Sequence, residues 1–367
     1  MNGNNSDMKI LYVGNYKDGT GWATACINNI LALDSANVEV VPRSITFEQE
    51  TVEYPDRIKQ LEENSALNCD ICIQHTLPHL YSYNSNFKNI GFMATEVDSF
   101  KDTCWQYHAN IMDEIWVPSL HTKGACRKSG ITVPVNVAPH SLNISKYVAS
   151  DGNTIQELND TFNFAFIGEF VERKNLAALL KAFHIEFHPL EPVNLFIKTS
   201  LQTLPQVQEY CAQIKSGLKL RKQYKEEILV CGRLPRKDYI SVLNQCHSFV
   251  MPSRGEAFCI PALEAMALKI PVIHTADTGM EDFCVGPTVR SEQVPCFGAM
   301  STLPNLCTAN SRWSEINIDD LCVAMRNAYM QWNTEQERDQ KQEAYDMAQR
   351  HDHKVIGQQL KELLHDS

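Results

Sequence analysis

The sequence predicts an α/β protein with two Rossmann-like, doubly wound, mostly parallel sheets and a helical C-terminal tail. Short apolar strands alternate with amphipathic helical segments along two successive stretches of the chain, which is the pattern of repeated βαβ units. Between these stretches, residues 141–161 are polar and lose the periodicity. We therefore predict one domain over residues 1–150, a second over 151–330 and a helical tail over 331–367.

The first stretch begins with an apolar strand, a glycine-containing loop and a helix. A P-loop would need Gly-Lys-Ser/Thr where Gly19, Thr20 and Gly21 stand, and a dinucleotide fingerprint would need a third glycine after Gly21. Neither motif is present, so we expect a loop whose backbone a ligand can approach closely. A plain tight turn remains the alternative. The strands are predicted at 9–13, 38–41, 70–74, 89–93, 114–117 and 135–138, and the helices at 22–33, 100–112 and 120–128.

The second stretch repeats the alternation. Two similar doubly wound domains predict a ligand site in the cleft between them. The segment after residue 316 is polar, poor in glycine and helical in pattern. The strands are predicted at 162–168, 194–198, 228–230, 249–251 and 272–273, the helices at 175–187, 204–220, 236–246 and 259–268, and the helical tail as far as residue 364.

Composition restricts the classes of function. The chain has 367 residues and a net charge of −11, which argues against broad neutralisation of nucleic-acid phosphates. Its thirteen cysteines are scattered, as is typical of a reducing compartment, and no apolar run approaches the ~20 residues of a membrane-spanning helix. Residues 1–7 are polar and predict a disordered start without a signal peptide. We expect a soluble, cytoplasmic protein.

The stretch SFVMPSRGEAFCIPALEAMALKIPVIH, residues 248–274, is the candidate ligand-binding segment. It reads as strand, turn, helix and strand, with Glu256 before the helix and Glu264 two turns into it. Loops that leave a parallel strand and open a helix bind phosphorylated ligands in α/β proteins. Arg173 and Lys174 follow another predicted strand, and their fixed positive charges suit a diphosphate.

These blocks resemble glycosyltransferase family 4, whose members are retaining enzymes of the GT-B fold. The resemblance is carried by Pro252-Ser253, by the two glutamates with seven residues between them, by the block at 166–183 and by the block at 116–143. It spans most of the chain from Lys9 to about Asp282. It implies transfer of a hexose from a nucleoside diphosphate sugar to a hydroxyl acceptor, with retention of configuration and without a metal or other cofactor.

The resemblance also implies roles for individual residues. It assigns Glu256 to the donor sugar and Glu264 to the ribose hydroxyls, and His75 or His140 to a place near the donor sugar. A solvated helix-face charge is the alternative for Glu264, and a purely structural role is the alternative for each histidine. The expected catalytic residues are Glu256, Lys174, Arg173 and His75, and the expected donor-binding residues are Gly19, Gly21, Gly168, Gly232, Ala257, Phe258, Cys259, Glu264 and Gly279, with no metal ligands.

Three residues depart from the family's pattern. Glu169 follows Gly168 where the family often has arginine, and Ala257 and Cys259 replace the two glycines of the usual Glu-Gly-Phe-Gly. A catalytically silent nucleotide-sugar binder is therefore one alternative. A phosphorylase, an epimerase or a nucleobase-modifying glycosyltransferase on the same fold are the others.

The acceptor is not identified by the sequence. A glycan or a lipid-linked sugar chain is expected more than a nucleic acid, because the chain is acidic. Lys123, Arg127 and Lys128 lie on one predicted helix face. They allow at most a peripheral contact with an anionic membrane, and a simply solvated face is the alternative.

Overall fold

The computed structural model describes residues 8–45, 52–148, 151–296 and 307–366. The predicted start at residues 1–7 lies outside these ranges. The chain forms two compact units: Met1–Ile144, Pro295–Arg312 and Arg350–Ser367 belong to the first, and Ser145–Val294 and Trp313–Gln349 to the second. The predicted domain limits at 150/151 and 330/331 remain predictions. Residues of the predicted tail are shared between the two units.

The first unit is built on a parallel six-stranded sheet. Its elements are β1 (Lys9–Gly14), α1 (Gly21–Ser35), β2 (Glu39–Ser44), α2 (Asp56–Glu62), β3 (Ile71–His75), a 3₁₀ turn (Pro78–Leu80), β4 (Lys88–Phe92), α3 (Cys104–Asn110), β5 (Glu114–Val117), α4 (Leu120–Lys128) and β6 (Val135–Val137). The strand order is β2-β1-β3-β4-β5-β6, and every pairing is parallel. All five residues of β3 are buried, as expected for a central strand covered on both faces.

The second unit repeats this plan. Its elements are a 3₁₀ turn (Gln156–Leu158), β7 (Phe162–Ile167), a 3₁₀ turn (Glu172–Lys174), α5 (Leu176–Glu186), β8 (Val193–Thr199), α6 (Leu204–Leu218), β9 (Ile228–Cys231), α7 (Arg236–Leu243), β10 (Ser248–Met251), α8 (Ile260–Ala267), β11 (Val272–Thr275), a 3₁₀ turn (Gly279–Asp282) and β12 (Thr288–Val289). The parallel order is β12-β11-β10-β7-β8-β9. Every residue of β7 and β8 is buried.

Two further strands and three helices complete the described chain. A 3₁₀ turn at Ile144–Lys146 lies where the chain passes from the first unit into the second. The remaining elements are β13 (Ser291–Pro295), β14 (Arg312–Ile316), α9 (Ile318–Met330), α10 (Glu335–Gln349) and α11 (His353–Asp366). β13 and β14 form a separate two-stranded sheet, and within the second unit α9 packs on α5 and α10 packs on α8.

The helix α11 packs on α1 within the first unit. A Cβ atom added at Gly357 would lie 2.1 Å from the carbonyl oxygen of Ala32, so the close approach of the two helices requires glycine there. His353 Nε2 lies 3.0 Å from Asn28 Oδ1 across the same interface. The C-terminal helix is therefore part of the first unit's packing.

The predicted fold class is confirmed: both doubly wound sheets and the C-terminal helices are present. Helix α2 and strands β12, β13 and β14 were not predicted, and α3 is shorter at both ends than the helix predicted at 100–112. Among the described residues, no helix is long and apolar enough to cross a membrane.

A buried polar cluster joins α5, α6 and the start of β9. Glu227 has a side chain only 1% exposed, with His184 Nε2 at 2.5 Å from one carboxylate oxygen and Lys215 Nζ at 3.0 Å from the other. Burial by itself raises the pKa of Glu227, but the hydrogen bond with His184 and the charge of Lys215 outweigh it, so the pKa lies below the usual 4.5. The carboxylate is ionised at neutral pH and ties three elements together.

We predict that Glu227→Gln lowers the free energy of unfolding by about 3 kcal/mol, because it leaves buried partners of a charged group incompletely paired. Urea unfolding followed by circular dichroism measures the change. Because the folded-state pKa is depressed, the contribution of Glu227 is complete above about pH 5 and is lost as the pH falls through the folded pKa. The matched control is Glu226→Gln. That glutamate also contacts Lys215 but is 86% exposed, so a loss as large as that of Glu227→Gln would contradict the account.

Candidate active site

The carboxylate of Glu256 brings the predicted catalytic residues of the second unit together. Glu256 lies in the loop between β10 and α8 and is 5% exposed. Its Oε1 atom accepts hydrogen bonds from Lys174 Nζ at 2.6 Å and from Ser253 Oγ at 2.7 Å, and Arg173 Nη1 lies 3.0 Å from the same atom. The 3₁₀ turn between β7 and α5, which carries the two cations, thus meets the loop that carries the glutamate.

The charges of this cluster are fixed by their mutual contacts. Burial by itself raises the pKa of Glu256, but the charges of Lys174 and Arg173 and the hydrogen bonds to Oε1 outweigh it and lower the pKa. Arg173 Nη1 also donates to the carbonyl oxygen of Gly255 at 2.6 Å. One carboxylate between two cations leaves a formal charge of +1, which suits an anionic ligand.

The second glutamate, Glu264, is buried within α8 rather than solvated. Tyr147 Oη donates to its Oε1 at 2.6 Å, Tyr239 Oη donates to its Oε2 at 2.5 Å, and Arg236 Nη2 donates to Oε1 at 2.9 Å. Burial and the neighbouring Glu264 raise the pKa of Tyr239, which therefore remains a donor. A carboxylate offers about four acceptor positions, so about one position remains for a ligand hydroxyl.

Residues 257–259, between the two glutamates, are buried and are held by contacts with the turn that follows β11. Phe258 stacks on Phe283, with ring centroids 4.2 Å apart. The amide of Gly279 donates to the carbonyl oxygen of Glu256 at 2.8 Å. Cys259 has a φ of +90°, a conformation that favours glycine, although the residue is cysteine and 7% exposed. Ala257 is buried beside them.

The two predicted glycines Gly168 and Gly232 flank the end of β8. The amide of Gly168 donates to the carbonyl oxygen of Lys198 at 3.1 Å, and that of Gly232 donates to Thr199 at 2.9 Å. Gly232 has a φ of +93°, and an added Cβ there would meet nothing within 4 Å. There is therefore free space beside the backbone at Gly232.

Sequence reasoning missed Lys198. Its side chain is buried at the end of β8, Nζ donates to Ser200 Oγ at 2.5 Å, and burial lowers its pKa. Arg236, Tyr147 and Tyr239 were missed as well. A lysine that ends an apolar strand was the signal available for Lys198, whereas nothing in the sequence singled out the two tyrosines.

Glu169 stands where the family often has arginine, and its side chain binds the loop after β8. Its carboxylate accepts hydrogen bonds from Thr199 Oγ1 at 2.9 Å and from the amides of Ser200 and Leu201 at 3.2 and 3.0 Å. The negative charge thus caps the loop after β8. Glu169 therefore lacks the positive charge that an arginine would have at this position. Arg173 and Lys174 supply the positive charges beside Glu256.

The predicted residues of the first unit form a second group. His75 ends β3, its Nδ1 lies 2.7 Å from Tyr12 Oη, and its ring centroid lies 5.9 Å from that of His140. Burial, followed by the charge of His140, lowers the pKa of His75 well below its ordinary value, and burial lowers the pKa of His140 to about 3. Both rings are therefore neutral at neutral pH.

The glycine loop of the first unit lies at the end of the neighbouring strand. Gly14 of β1 pairs with His75 of β3. After it, Asp18 accepts a hydrogen bond from the amide of Thr20 at 3.0 Å, Gly19 has a φ of +71°, and Gly21 begins α1. The loop and the histidine thus share the carboxyl edge of the sheet. Within the ranges that the structure describes, no group of three or more His, Cys, Asp or Glu side chains is placed to hold a metal ion.

The segment that carries Arg173, Lys174 and Glu256 is similar to known proteins. Residues 153–286 match the family model described as glycosyl transferases group 1, and this confirms the prediction of a glycosyltransferase domain. The matched segment contains Arg173, Lys174, Glu256 and Glu264.

Two curated proteins show sequence similarity. The capsular polysaccharide biosynthesis glycosyltransferase CapM of Staphylococcus aureus is 28% identical over 169 residues, which are 45% of this chain and 42% of that protein. The putative glycosyltransferase 45 of Sulfolobus islandicus filamentous virus (isolate Iceland/Hveragerdi) is 26% identical over 197 residues, 51% of this chain and 48% of that protein. The chain therefore spans less than half the length of these relatives.

The fold also matches solved structures. The crystal structure of Anabaena Alr3699/HepE in complex with UDP superimposes with a TM-score of 0.69 at 14% identity, covering 98% of this chain and all of that one. The same protein has been solved with UDP-glucose. At this identity the likeness establishes the fold, which is that of the GT-B proteins.

The φ of Cys259 gives a testable consequence. We predict that Cys259→Gly changes the free energy of unfolding by less than about 1 kcal/mol, because relief of backbone strain offsets the lost burial of the thiol. Cys246→Gly is the matched control. Cys246 is equally buried at 5% and has a negative φ, so the control should lose about 2 kcal/mol. Equal losses in urea unfolding would show that the backbone at Cys259 is unstrained.

Proposed function

We propose that this protein is a retaining glycosyltransferase that moves a hexose from a nucleoside diphosphate sugar to a hydroxyl acceptor. The observation that carries the proposal is the buried, ionised Glu256 held between Lys174 and Arg173, inside the segment that matches group 1 glycosyltransferases. The cluster presents fixed positive charge beside a carboxylate that accepts hydrogen bonds, and a sugar diphosphate needs both.

The reaction breaks the bond between the anomeric carbon and the diphosphate oxygen. The electron pair of that bond stays on the departing oxygen, so negative charge grows there as the sugar becomes oxocarbenium-like. Lys174 and Arg173 stabilise this charge because they are already held in place before the reaction begins. The acceptor oxygen then bonds to the anomeric carbon on the face the diphosphate left, and its proton leaves with the diphosphate.

Glu256 has two roles in the departure of the diphosphate. It holds Lys174 and Arg173 in position through the contacts at Oε1, and we propose that its carboxylate also accepts hydrogen bonds from hydroxyls of the donor sugar. With two fixed cations at the diphosphate, we propose that the transfer needs no metal ion.

Glu264 recognises the ribose of the donor in this proposal. A vicinal diol donates well to a carboxylate, but Tyr147, Tyr239 and Arg236 already donate to this one. Donor binding therefore requires that a ribose hydroxyl take the remaining acceptor position or displace one of these groups. Arg236 is the group most easily displaced, because its side chain is 53% exposed.

For the first unit we propose acceptor binding. His75 is neutral at the pH of a cell, so it takes part through hydrogen bonds or proton transfer and not through charge.

A uridine nucleotide is the first donor to test, because the Anabaena protein was solved with UDP and UDP-glucose. A glycan or lipid-linked sugar is the acceptor class that we favour, and a cytoplasmic location accords with thirteen free thiols.

A catalytically silent nucleotide-sugar binder is the second candidate. Glu169 in place of a cation, and Ala257 and Cys259 in place of two glycines, favour it, because these changes fall on the expected donor site. The two candidates differ in one measurable property, the release of nucleoside diphosphate from a sugar donor.

We predict that the purified protein releases nucleoside diphosphate from at least one of UDP-, GDP-, ADP- and TDP-glucose, measured by ion-exchange chromatography with and without simple sugar acceptors. Lys174→Ala and Glu256→Gln should each lower the rate by about 100-fold or more, because each disrupts charge stabilisation in the transition state. Lys237→Ala is the control, since that lysine is 74% exposed. Melting curves establish that each variant is folded.

Release at the normal rate by the folded Lys174→Ala protein would refute the proposed mechanism. Binding of a nucleotide sugar without any release would favour the silent binder. Binding is read from the rise in melting temperature that a ligand of the native state produces.

A further inference from the structure

Strand β14 contacts the turn that carries Arg173 and Lys174, although it lies beyond the segment that matches the family model. Glu315 on β14 accepts a hydrogen bond from Asn175 Nδ2 at its Oε1 atom, at 3.1 Å, and its Oε2 atom pairs with Arg254 Nε. The matched segment ends at residue 286. This glutamate is therefore a feature of the chain that the family match does not include.

Arg254 extends the contact from β14 to the turn. Its amide donates to the carbonyl oxygen of Arg173 at 2.7 Å, and its Nη1 donates to the carbonyl oxygen of Glu172 at 2.5 Å. Its guanidinium lies over the ring of Trp313, 5.5 Å from the centroid, and its carbonyl oxygen accepts from the amide of Ser314 at 2.6 Å. Arg254 is thus bonded to the turn on one side and to β14 on the other.

The turn is held at both ends by these contacts. Arg254 binds it at Glu172 and Arg173, and Glu315 binds it at Asn175, whose φ of +52° lets the chain turn sharply into α5. Lys174 lies between these points, and both cations reach Glu256. Arg254 and Glu315 thus bind the turn on both sides of the residues that contact Glu256.

We propose that Glu315 is a positioning residue for Arg173 and Lys174, acting through Arg254 and Asn175. The consequence for catalysis rests on the proposed function, whereas the effect on the turn does not. Glu315 is 35% exposed and Arg254 is 17% exposed. An ion pair that is partly solvated contributes little to global stability, but displacement of a charged group by about 1 Å costs a large factor in rate.

The first experiment measures the turn itself. Hydrogen exchange with mass spectrometry is compared for wild type, Glu315→Ala and Glu292→Ala in peptides that cover residues 169–176. Glu292 is the matched control because it is an exposed glutamate on the paired strand β13. Exchange should quicken at least about fivefold in Glu315→Ala alone, because the amides of Lys174 and Asn175 are protected by hydrogen bonds within the turn.

The second experiment measures the consequence for the ligand. Nucleoside diphosphate release is assayed in Glu315→Ala, Glu315→Asp and the double variant Lys174→Ala/Glu315→Ala, with the sugar donor that wild type uses. The rate should fall roughly tenfold or more in Glu315→Ala and recover in part in Glu315→Asp. In the Lys174→Ala background the further loss should be smaller than in wild type, because the part of the effect that passes through Lys174 is already lost and only the part through Arg173 remains.

The outcomes separate the two proposals. Unchanged exchange in the turn of Glu315→Ala would overturn the positioning role whatever the enzyme's activity. An equal loss of rate with and without Lys174 would overturn the positioning of Lys174 by Glu315, since the effect would then not pass through that lysine. Wild type that releases no nucleoside diphosphate would refute the proposed function, while the exchange measurement would still decide the role of Glu315 in the turn.

Discussion

The buried carboxylate of Glu256 is the constraint on which the rest of the candidate site depends. Removing an ionised carboxylate from water costs several kcal/mol, and here Lys174, Arg173 and Ser253 compensate that cost at a single oxygen. The dependence is mutual, because the two cations are themselves nearly buried, at 14% and 17% exposed. Each charge is thus stable only in the presence of the others, and the cluster is organised before any ligand arrives.

This cluster also explains the surrounding backbone. The loop from Ser253 to Cys259 must bring the carboxylate under the cations and then start α8, and it does so with a residue of positive φ at Cys259. The amide of Gly279 and the stacked rings of Phe258 and Phe283 hold that loop from the neighbouring turn. The strained backbone conformation of Cys259 persists because the contacts around it determine the path of the chain.

Much of this was predictable from the sequence. Apolar runs predicted the strands of both parallel sheets except the edge strand β12, because strands covered on both faces must be apolar along their length. The spacing of Glu256 and Glu264 and the pair Arg173-Lys174 marked these residues as candidates, whereas the contact of Glu256 with both cations is seen only in the structure. What made this possible is that each of these signals is local, lying within a few residues of a strand end.

The features that escaped prediction depend on contacts between distant residues or on polar strands. Tyr147 lies 117 residues from the Glu264 that it binds, and no local pattern marks it. β13 is mostly exposed, so it has no apolar run to reveal it. Glu169 was interpreted as a missing cation, but its actual role, capping the loop after β8, depends on where Ser200 and Leu201 lie in three dimensions.

The central claim is that Lys174 and Arg173, held by Glu256, form the binding site for the terminal phosphate of a nucleoside diphosphate. Calorimetric titration with UDP, UMP, GDP and GMP tests it most directly, because each pair differs only in that phosphate. The account predicts that wild type binds the diphosphate of its preferred base roughly tenfold or more tightly than the monophosphate, and that Lys174→Ala loses this preference. Equal affinity of wild type for the diphosphate and the monophosphate, or an unchanged preference in the folded variant, would contradict it.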